Sequence, residues 1–250
     1  MPDELREIRS EAWSLLRSAS VPPVRFTLFF LLLTLGLDLA STLAGAFVRD
    51  QASSLPFAFV RILSMLLGAV FSAGFACYCL RVTGGEKHVP YGTLFEALPF
   101  AGKVVLLNLL QGALVGLGLS LFVIPGLVLG FSYAFALFYL CEDPALNVVE
   151  ALRRSRREMQ GRKWPAALLL TSFWPLALAA ALCAVGAEYA LSPLLPDTPG
   201  GSLLFTLLSD TLCALPELLL LPWAGLSMAL FFRRAVRARE AEEEFWGPEL

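Results

Sequence analysis

Six long apolar runs, separated by short polar segments, constrain this chain more than any other feature. A helix needs about 20 apolar residues to cross the ~30 Å hydrocarbon layer of a bilayer. Hydrophobic residues make up 57% of the 250 residues and charged residues 16%, whereas soluble domains average ~45–50% and ~25%. We therefore expect an all-α, polytopic membrane protein with six transmembrane helices. The predicted spans are residues 24–48, 56–82, 103–124, 126–141, 164–191 and 203–232.

Three features of these runs decide how they are divided. As one helix, residues 103–141 would be ~58 Å long, so the chain must fold back there, and Pro125 with Gly126 is the predicted structural turn. Pro216 and Pro222 predict a break in the sixth span. The run 24–48 exceeds the ~7–15 residues of a signal-peptide core, which favours an uncleaved first span.

The distribution of Lys and Arg predicts the orientation. Of the 19 basic residues, all but Arg49 and Arg61 lie before span one, between spans two and three, between spans four and five, after span six, or in the span ends that adjoin these segments. Positive loops stay in the cytoplasm, so both termini are expected there. We expect a single membrane domain over residues 1–238, arranged as three helical hairpins, and an acidic cytoplasmic tail over residues 239–250.

Amphipathic segments precede the odd-numbered spans. Residues 3–19 and 144–160 each place apolar side chains on one helical face, which is typical of cytoplasmic surface helices. For the second, Asp143 is the predicted cap, Pro144 the first helical residue and Gly161 the stop. A short helix is also expected over residues 91–98. A Glu-Ala pair recurs in all three segments, which suggests three repeated units over residues 1–82, 83–141 and 142–238.

The helix 144–160 carries the densest positive charge in the sequence. We expect it and the residues that follow it to contact anionic lipid head groups, each basic residue contributing ~1 kcal/mol near the surface, or to contact a partner protein. The alternative is that these charges only fix the orientation during insertion. The predicted contact residues are Arg153, Arg154, Arg156, Arg157, Arg162 and Lys163.

Charged residues within the spans form a second candidate site, because such groups are costly in hydrocarbon. The five charged residues of this second site lie in the outer half of the membrane by the predicted topology, and Arg61 is expected to pair with Asp38 or Asp210. They could line a polar vestibule that opens outward, or form one structural ion pair beside acids that stay hydrated. The predicted cluster is Asp38, Arg61, Glu188, Asp210 and Glu217.

Sequence motifs for several chemistries are absent. There is no H-E-x-x-H, no G-x-x-x-x-G-K-[ST] and no G-x-S-x-G, and a single histidine cannot build a typical histidine-rich metal site. We therefore expect no catalytic residues, no metal and no cofactor. A net charge of -2 gives no general basic field for nucleic acid. The five cysteines, none in a C-x-x-C pattern, are interpreted as packing residues.

A series of short motifs resembles one family of bacterial membrane proteins. The resemblance covers most of the chain and is most specific between Ile124 and Trp164, with a departure at Gly84, where the family more often carries arginine. It rests on Phe122-Val123-Ile124-Pro125-Gly126, Ser132-Tyr133, Glu142-Asp143-Pro144, Glu150-Ala151-Leu152-Arg153-Arg154-Ser155, Met159, Gly161, Lys163-Trp164 and Phe173. The order is similar to that of domain-of-unknown-function family 975, which implies six spans in the bacterial cell membrane and no particular activity.

The specific motifs cluster at the second hairpin and along the basic helix, away from the outer acids. We therefore expect a non-catalytic membrane protein whose working face is cytoplasmic. The main alternative is a small transporter or lipid-handling protein that uses the outer polar cluster. A membrane-embedded enzyme is the third candidate.

Overall fold

The structure is a computed structural model that describes residues 2–18, 23–46, 55–86, 88–191 and 199–246. Within these ranges the regular structure is entirely helical, which confirms the predicted all-α class. The first helices are α1 (Pro2–Ser18), α2 (Pro23–Ala46), α3 (Leu55–Thr83), α4 (Ala101–Leu121) and α5 (Val123–Ser132). They are followed by α6 (Ala136–Glu142), α7 (Val148–Glu158), α8 (Lys163–Thr171), α9 (Trp174–Leu191) and α10 (Pro199–Trp246).

Six helical stretches are long and apolar enough to cross a membrane, as the sequence predicts. They are Pro23–Leu43, Ala58–Thr83, Tyr91–Leu121, Val123–Glu142, Lys163–Gly186 and Leu208–Ala241. The sixth lies further along the chain than the predicted 203–232. Predictions for Ala19, Arg49 and Lys87, and for residues 247–250 of the tail, fall outside the described residues.

Helices α2, α3 and α10 pack together as the centre of the bundle. Phe26 on α2 stacks on Tyr78 of α3 with ring centroids 3.7 Å apart, and both side chains are fully buried. Gly225 brings α10 close to α3, because a Cβ at this position would lie 2.9 Å from the Cys79 sulfur. Aromatic stacking and a glycine contact therefore fix the central three helices against each other.

The chain reverses at Phe122, three residues before the predicted turn at Pro125 and Gly126. Phe122 is the extended residue between α4 and α5, with φ −158° and ψ 149°. Pro125 is the third residue of α5, where a backbone N–H would have no helical partner in any case. Gly126 is the contact with α4, because a Cβ at Gly118 would lie 2.8 Å from the Gly126 Cα. The proline therefore stabilises the start of a helix, and the glycine permits close packing.

The fourth and fifth spans are each interrupted by a short non-helical step. Residues 133–135 separate α5 from α6, and residues 172–173 separate α8 from α9. At the first step the backbone N–H of Tyr133 donates to the carbonyls of Leu129 and Gly130, at 3.2 and 3.3 Å. These local bonds keep the interrupted backbone paired, as burial in an apolar environment requires.

Helix α10 runs without a break through Pro216 and Pro222, contrary to the predicted interruption. At 48 residues it is ~72 Å long, at 1.5 Å per residue. Each proline removes one backbone hydrogen bond. In an apolar environment the remaining backbone groups still need intrahelical partners, which favours continuation of the helix.

Three segments that the sequence predicts to lie at the surface pack onto the bundle. They are α1, the pair of short 3₁₀ helices Tyr91–Phe95 and Leu98–Phe100, and α7. The alanines of the three Glu-Ala pairs (Ala12, Ala97 and Ala151) are all fully buried. Each neighbouring glutamate forms an ion pair with arginine. The second segment is 3₁₀ rather than the predicted α-helix over residues 91–98, and the three repeated units stay a prediction.

Two of the five cysteines are joined, which packing alone did not predict. Cys77 on α3 and Cys141 on α6 form a disulfide with Cα atoms 5.3 Å apart, a separation ordinary for such bridges. Cys79 is free and buried, and Cys183 is free and exposed. For Cys77 and Cys141 the interpretation as packing residues was therefore wrong.

Candidate functional site

The predicted basic helix exists as α7 but begins at Val148, four residues later than expected. The Asn147 side chain caps it by accepting a hydrogen bond from the Val149 N–H at 3.3 Å. Asp143, the predicted cap, instead accepts from the Ala145 N–H at 3.0 Å and forms a turn. At the other end Gly161 has φ +77°, the left-handed conformation that the prediction of a glycine stop requires.

Lys103 stabilises the turn that leads into α7. Its ammonium group donates to the carbonyl oxygens of Pro144, Ala145 and Leu146 at 2.6, 3.0 and 3.0 Å. Three carbonyl acceptors satisfy the three donors of an ammonium group. The start of α4 is thereby connected to the turn that sets where α7 begins.

A buried serine attaches α7 to the interruption between α5 and α6. The Ser155 hydroxyl donates to the Ser132 carbonyl at 2.9 Å and accepts from the Phe135 N–H at 3.1 Å. Ser155 is fully buried, so both backbone groups depend on it for a partner. The non-helical step in the fourth span and the basic helix therefore stabilise each other.

A buried carboxylate connects α7 to the C-terminal part of α10. Glu158 is 5% exposed and pairs with Arg162 at 3.1 Å and with Arg239 at 2.8 Å. Arg162 also donates to the Ala235 carbonyl at 2.8 Å. We call Glu158, Arg162 and Arg239 the clamp. It holds the last turn of α7 against residues 235–239 of α10.

Other arginines connect neighbouring elements at the same end of the bundle. Arg81 of α3 pairs with Glu96 at 2.7 Å, and Arg234 of α10 pairs with Glu11 of α1 at 2.7 Å. Arg233 donates to the Leu80 carbonyl at 2.8 Å, and its guanidinium lies 2.7 Å from where a Cβ of Gly84 would be. We call this end, formed by α1, α7, the end of α3 and residues 233–239, the basic end.

Four of the six predicted contact residues face away from the bundle. Arg153, Arg154, Arg156 and Arg157 are all exposed. The first two share Glu150, at 2.9 and 3.3 Å. In the part of the chain that the structure describes, the other two make no ion pair. We call these four residues the arginine face.

The remaining two predicted contact residues differ from the arginine face. Arg162 belongs to the clamp, and Lys163 is half-buried at the start of α8. Apolar side chains instead flank the arginine face at both ends: Val149 is 53% exposed and Trp164 70% exposed. Arginines beside an exposed tryptophan are typical of helices at the level of lipid head groups.

The structure places four members of the predicted outer cluster on three different helices. Asp38 on α2, Arg61 on α3 and Glu217 on α10 are all exposed, and Asp210 is half-buried. Among the described residues, Arg61 forms no ion pair with Asp38 or Asp210. The Glu188 side chain is outside the described part of the structure.

The clamp and Ser155 were missed by the sequence reasoning, although a signal for them was present. Ala151, Ser155 and Glu158 are spaced by four and three residues, which places them on the buried stripe of α7. A serine and a glutamate on a buried stripe need polar partners. The identity of those partners depends on elements distant in sequence.

Among the described residues, no group of three or more His, Cys, Asp or Glu side chains is placed to hold a metal ion. The exposed guanidinium groups of the arginine face can bind anions. Comparison with known proteins found no family model, no curated protein and no solved structure that matches the chain.

Proposed function

We propose that the chain is a non-catalytic, multi-pass protein of the bacterial cytoplasmic membrane whose arginine face binds anionic lipid head groups. The main support for this proposal is that four arginines are exposed on a helix whose opposite face is fixed by buried contacts. Because α7 is already held in place, less entropy is lost when its arginines bind phosphate groups. Guanidinium groups also match phosphate geometry through paired N–H donors.

The proposal includes the orientation in which both termini and the basic end are cytoplasmic. Positive charge at this end supports it through the known bias of cytoplasmic loops, and so does the anionic inner leaflet that the arginine face would meet. Membership of domain-of-unknown-function family 975 is part of the same proposal and rests on the sequence motifs alone. A protein partner for the arginine face is the competing interpretation.

The alternative function, a small transporter or lipid-handling protein, has less support. It requires the outer polar residues to form a ligand site, helped by a broken sixth span. Helix α10 is continuous at its prolines, and among the described residues Arg61 forms no ion pair with Asp38 or Asp210. Neutralising Asp38 or Asp210 is therefore expected to leave the properties of the basic end unchanged.

The test is a comparison of head-group preference in the full-length protein. Purified protein in mild detergent is titrated with phosphatidylglycerol or phosphatidylcholine, and bound lipid is counted by native mass spectrometry. We expect tighter binding of phosphatidylglycerol by about tenfold or more, since two or more contacts at ~1 kcal/mol each give that factor. Raising the salt concentration should weaken the preference.

A matched pair of variants separates the arginine face from general positive charge. The first carries Gln in place of Arg153, Arg154, Arg156 and Arg157, and the control carries Gln in place of Arg6, Arg17, Arg25 and Arg237. We expect only the first to lose most of the preference. Equal losses in both variants, or no head-group preference in the wild type, would contradict the proposal. Retention of a protein partner by the arginine face, without bound lipid, would favour the competing interpretation.

A further inference from the structure

The disulfide lies where an ordinary structural disulfide is not expected. Cys77 is six residues before the end of α3, and Cys141 is one residue before the end of α6. Both therefore lie toward the basic end, near Arg81 and Arg233. In the proposed orientation this end faces the cytoplasm, where small thiols keep cysteines reduced. A bond formed there is exposed to continual exchange with those thiols.

The two cysteines differ in the exposure of the whole residue. Cys77 is 7% exposed and lies among the packed side chains of α3. Cys141 is half-buried, and its sulfur lies 3.6 Å from the Ala73 carbonyl oxygen. Attack by a small thiol on a disulfide depends strongly on access. Cys141 is thus the sulfur that a soluble thiol reaches first.

We propose that Cys77 and Cys141 are a reversible thiol–disulfide pair, a redox modification site whose co-reactant is the cytoplasmic low-molecular-weight thiol and its disulfide. The proposal rests on the orientation given under the proposed function. It does not depend on lipid binding by the arginine face. Because each cysteine comes from a different span, oxidation joins span two to span four covalently.

The exchange balances as two successive displacements. A small thiolate attacks the Cys141 sulfur, the protein S–S bond breaks, and Cys77 leaves as a thiolate that takes up a proton. A second small thiolate then attacks the small-molecule sulfur of the mixed disulfide, and Cys141 leaves as a thiolate and is protonated. The net change converts one protein disulfide and two small thiols into two protein thiols and one small disulfide. Oxidation is the reverse reaction.

The position of the pair connects its redox state to the contacts that hold α7 in place. Helix α6 begins directly after the non-helical step whose Ser132 and Phe135 bind Ser155 of α7. The disulfide closes a loop with a sequence separation of 64 residues, which contains the whole of α4 and α5. In the oxidised form α6, which follows the step that binds α7, is therefore fixed covalently to α3. In the reduced form only packing holds it there.

The experiment counts free thiols in living cells. The full-length chain is expressed with Ala in place of Cys79, Cys183 and Cys213, so that only the pair remains. Cells are quenched in acid, denatured, and labelled with polyethylene-glycol maleimide, which retards the protein on a gel once for each free thiol. We expect two additions in untreated cells, none after treatment with the thiol oxidant diamide, and two again after dithiothreitol.

A spacing control tests whether the pairing is specific. A chain that keeps Cys79 and Cys141 but carries Cys77→Ala has the same number of thiols on the same helices, and it should show two additions in untreated cells. After diamide it should keep at least one addition, because Cys141 can form a mixed disulfide with the small thiol but has no Cys77 with which to close the pair. Two additions in the Cys77–Cys141 chain after diamide would overturn the proposal. So would a pair that is fully oxidised in untreated cells. The head-group titration uses purified protein, so its outcome stands separately from this one.

Discussion

The Glu158 carboxylate joins α7, the start of α8 and the end of α10 through two guanidinium groups. It is nearly fully buried, whereas each arginine keeps 27% of its side-chain exposure. The substitution Glu158→Gln removes the buried carboxylate that both half-buried guanidinium groups contact. Breaking a buried pair in this way costs about 3–5 kcal/mol, and partial exposure of the arginines reduces the expected loss to ~2–3 kcal/mol.

The measurement for Glu158→Gln is the thermal unfolding midpoint in detergent, followed by tryptophan fluorescence. For a chain of this size ~2–3 kcal/mol corresponds to a decrease of roughly 4–12 °C. Glu150→Gln is the matched control. Like Glu158, Glu150 pairs with two arginines, but its pairs lie at the exposed surface of α7. Exposed pairs contribute ~0–1 kcal/mol. Similar midpoints for the two variants would show that the clamp contributes nothing beyond a surface pair.

Ser155 permits a second prediction about single side chains. Ser155→Ala removes one hydroxyl group that serves two backbone partners, and leaves the buried Phe135 N–H without an acceptor. An unsatisfied buried donor costs ~1–3 kcal/mol, so the midpoint should fall by several degrees. Ser120→Ala is the control, since Ser120 is exposed and its hydroxyl binds only the Gly116 carbonyl of its own helix. An unchanged midpoint in Ser155→Ala would mean that water or another group satisfies Phe135.

The features of single helices that follow from sequence periodicity could be predicted, whereas the features that depend on packing partners could not. The apolar stripe of α7 and the stop at Gly161 are local patterns, and both could be predicted. The start of α7 could not, because Asp143 and Asn147 are both good caps, and Lys103 of a distant helix stabilises the turn between them. The continuity of α10 through Pro216 and Pro222 was missed for a similar reason. A proline in the sequence indicates that one backbone hydrogen bond is lost, but it does not show whether the surrounding helix continues.

The contact between α3 and the first 3₁₀ helix gives a prediction at the same scale. Gly74 allows the Leu94 backbone to lie directly against α3, and a Cβ at Gly74 would overlap the Leu94 carbonyl. Gly74→Ala should therefore displace residues 91–95 and lower the stability by about 1–3 kcal/mol, as overpacking does. Thermal unfolding measures the loss.

Gly68→Ala on the same helix is the control for this effect. A Cβ at Gly68 meets nothing within 4 Å, so the substitution changes the same residue type without a collision. Since alanine has the higher helix propensity, this variant should be neutral or slightly stabilised. If Gly74→Ala were equally well tolerated, the close approach of residues 91–95 to α3 would be incorrect.

For the whole molecule, the arrangement of charges and the fold agree. The runs of basic residues that were separated along the sequence meet at one end of the bundle. There Arg81 connects α3 to the 3₁₀ segment, Arg234 connects α10 to α1, and the clamp connects α10 to α7. Counting apolar runs could predict six spans because length and composition are local properties. It could not predict that α2, α3 and α10 form the centre, or that Cys77 meets Cys141, because contacts between distant helices leave no periodic signal.

The last prediction concerns the orientation of the basic end, on which the lipid and redox proposals both depend. In a chain with Ala at all five cysteines, one new cysteine is introduced at Arg157 on the arginine face, or at Phe122 in the turn between α4 and α5. Both positions are exposed. If the basic end is cytoplasmic, a membrane-impermeant maleimide added to intact cells should label Phe122→Cys, and should label Arg157→Cys only after the cells are opened. Because the fourth span, Val123–Glu142, leads from Phe122 to the basic end, a reversed protein would exchange the two results. The bias of positive charge toward the cytoplasm would then have failed to set the orientation.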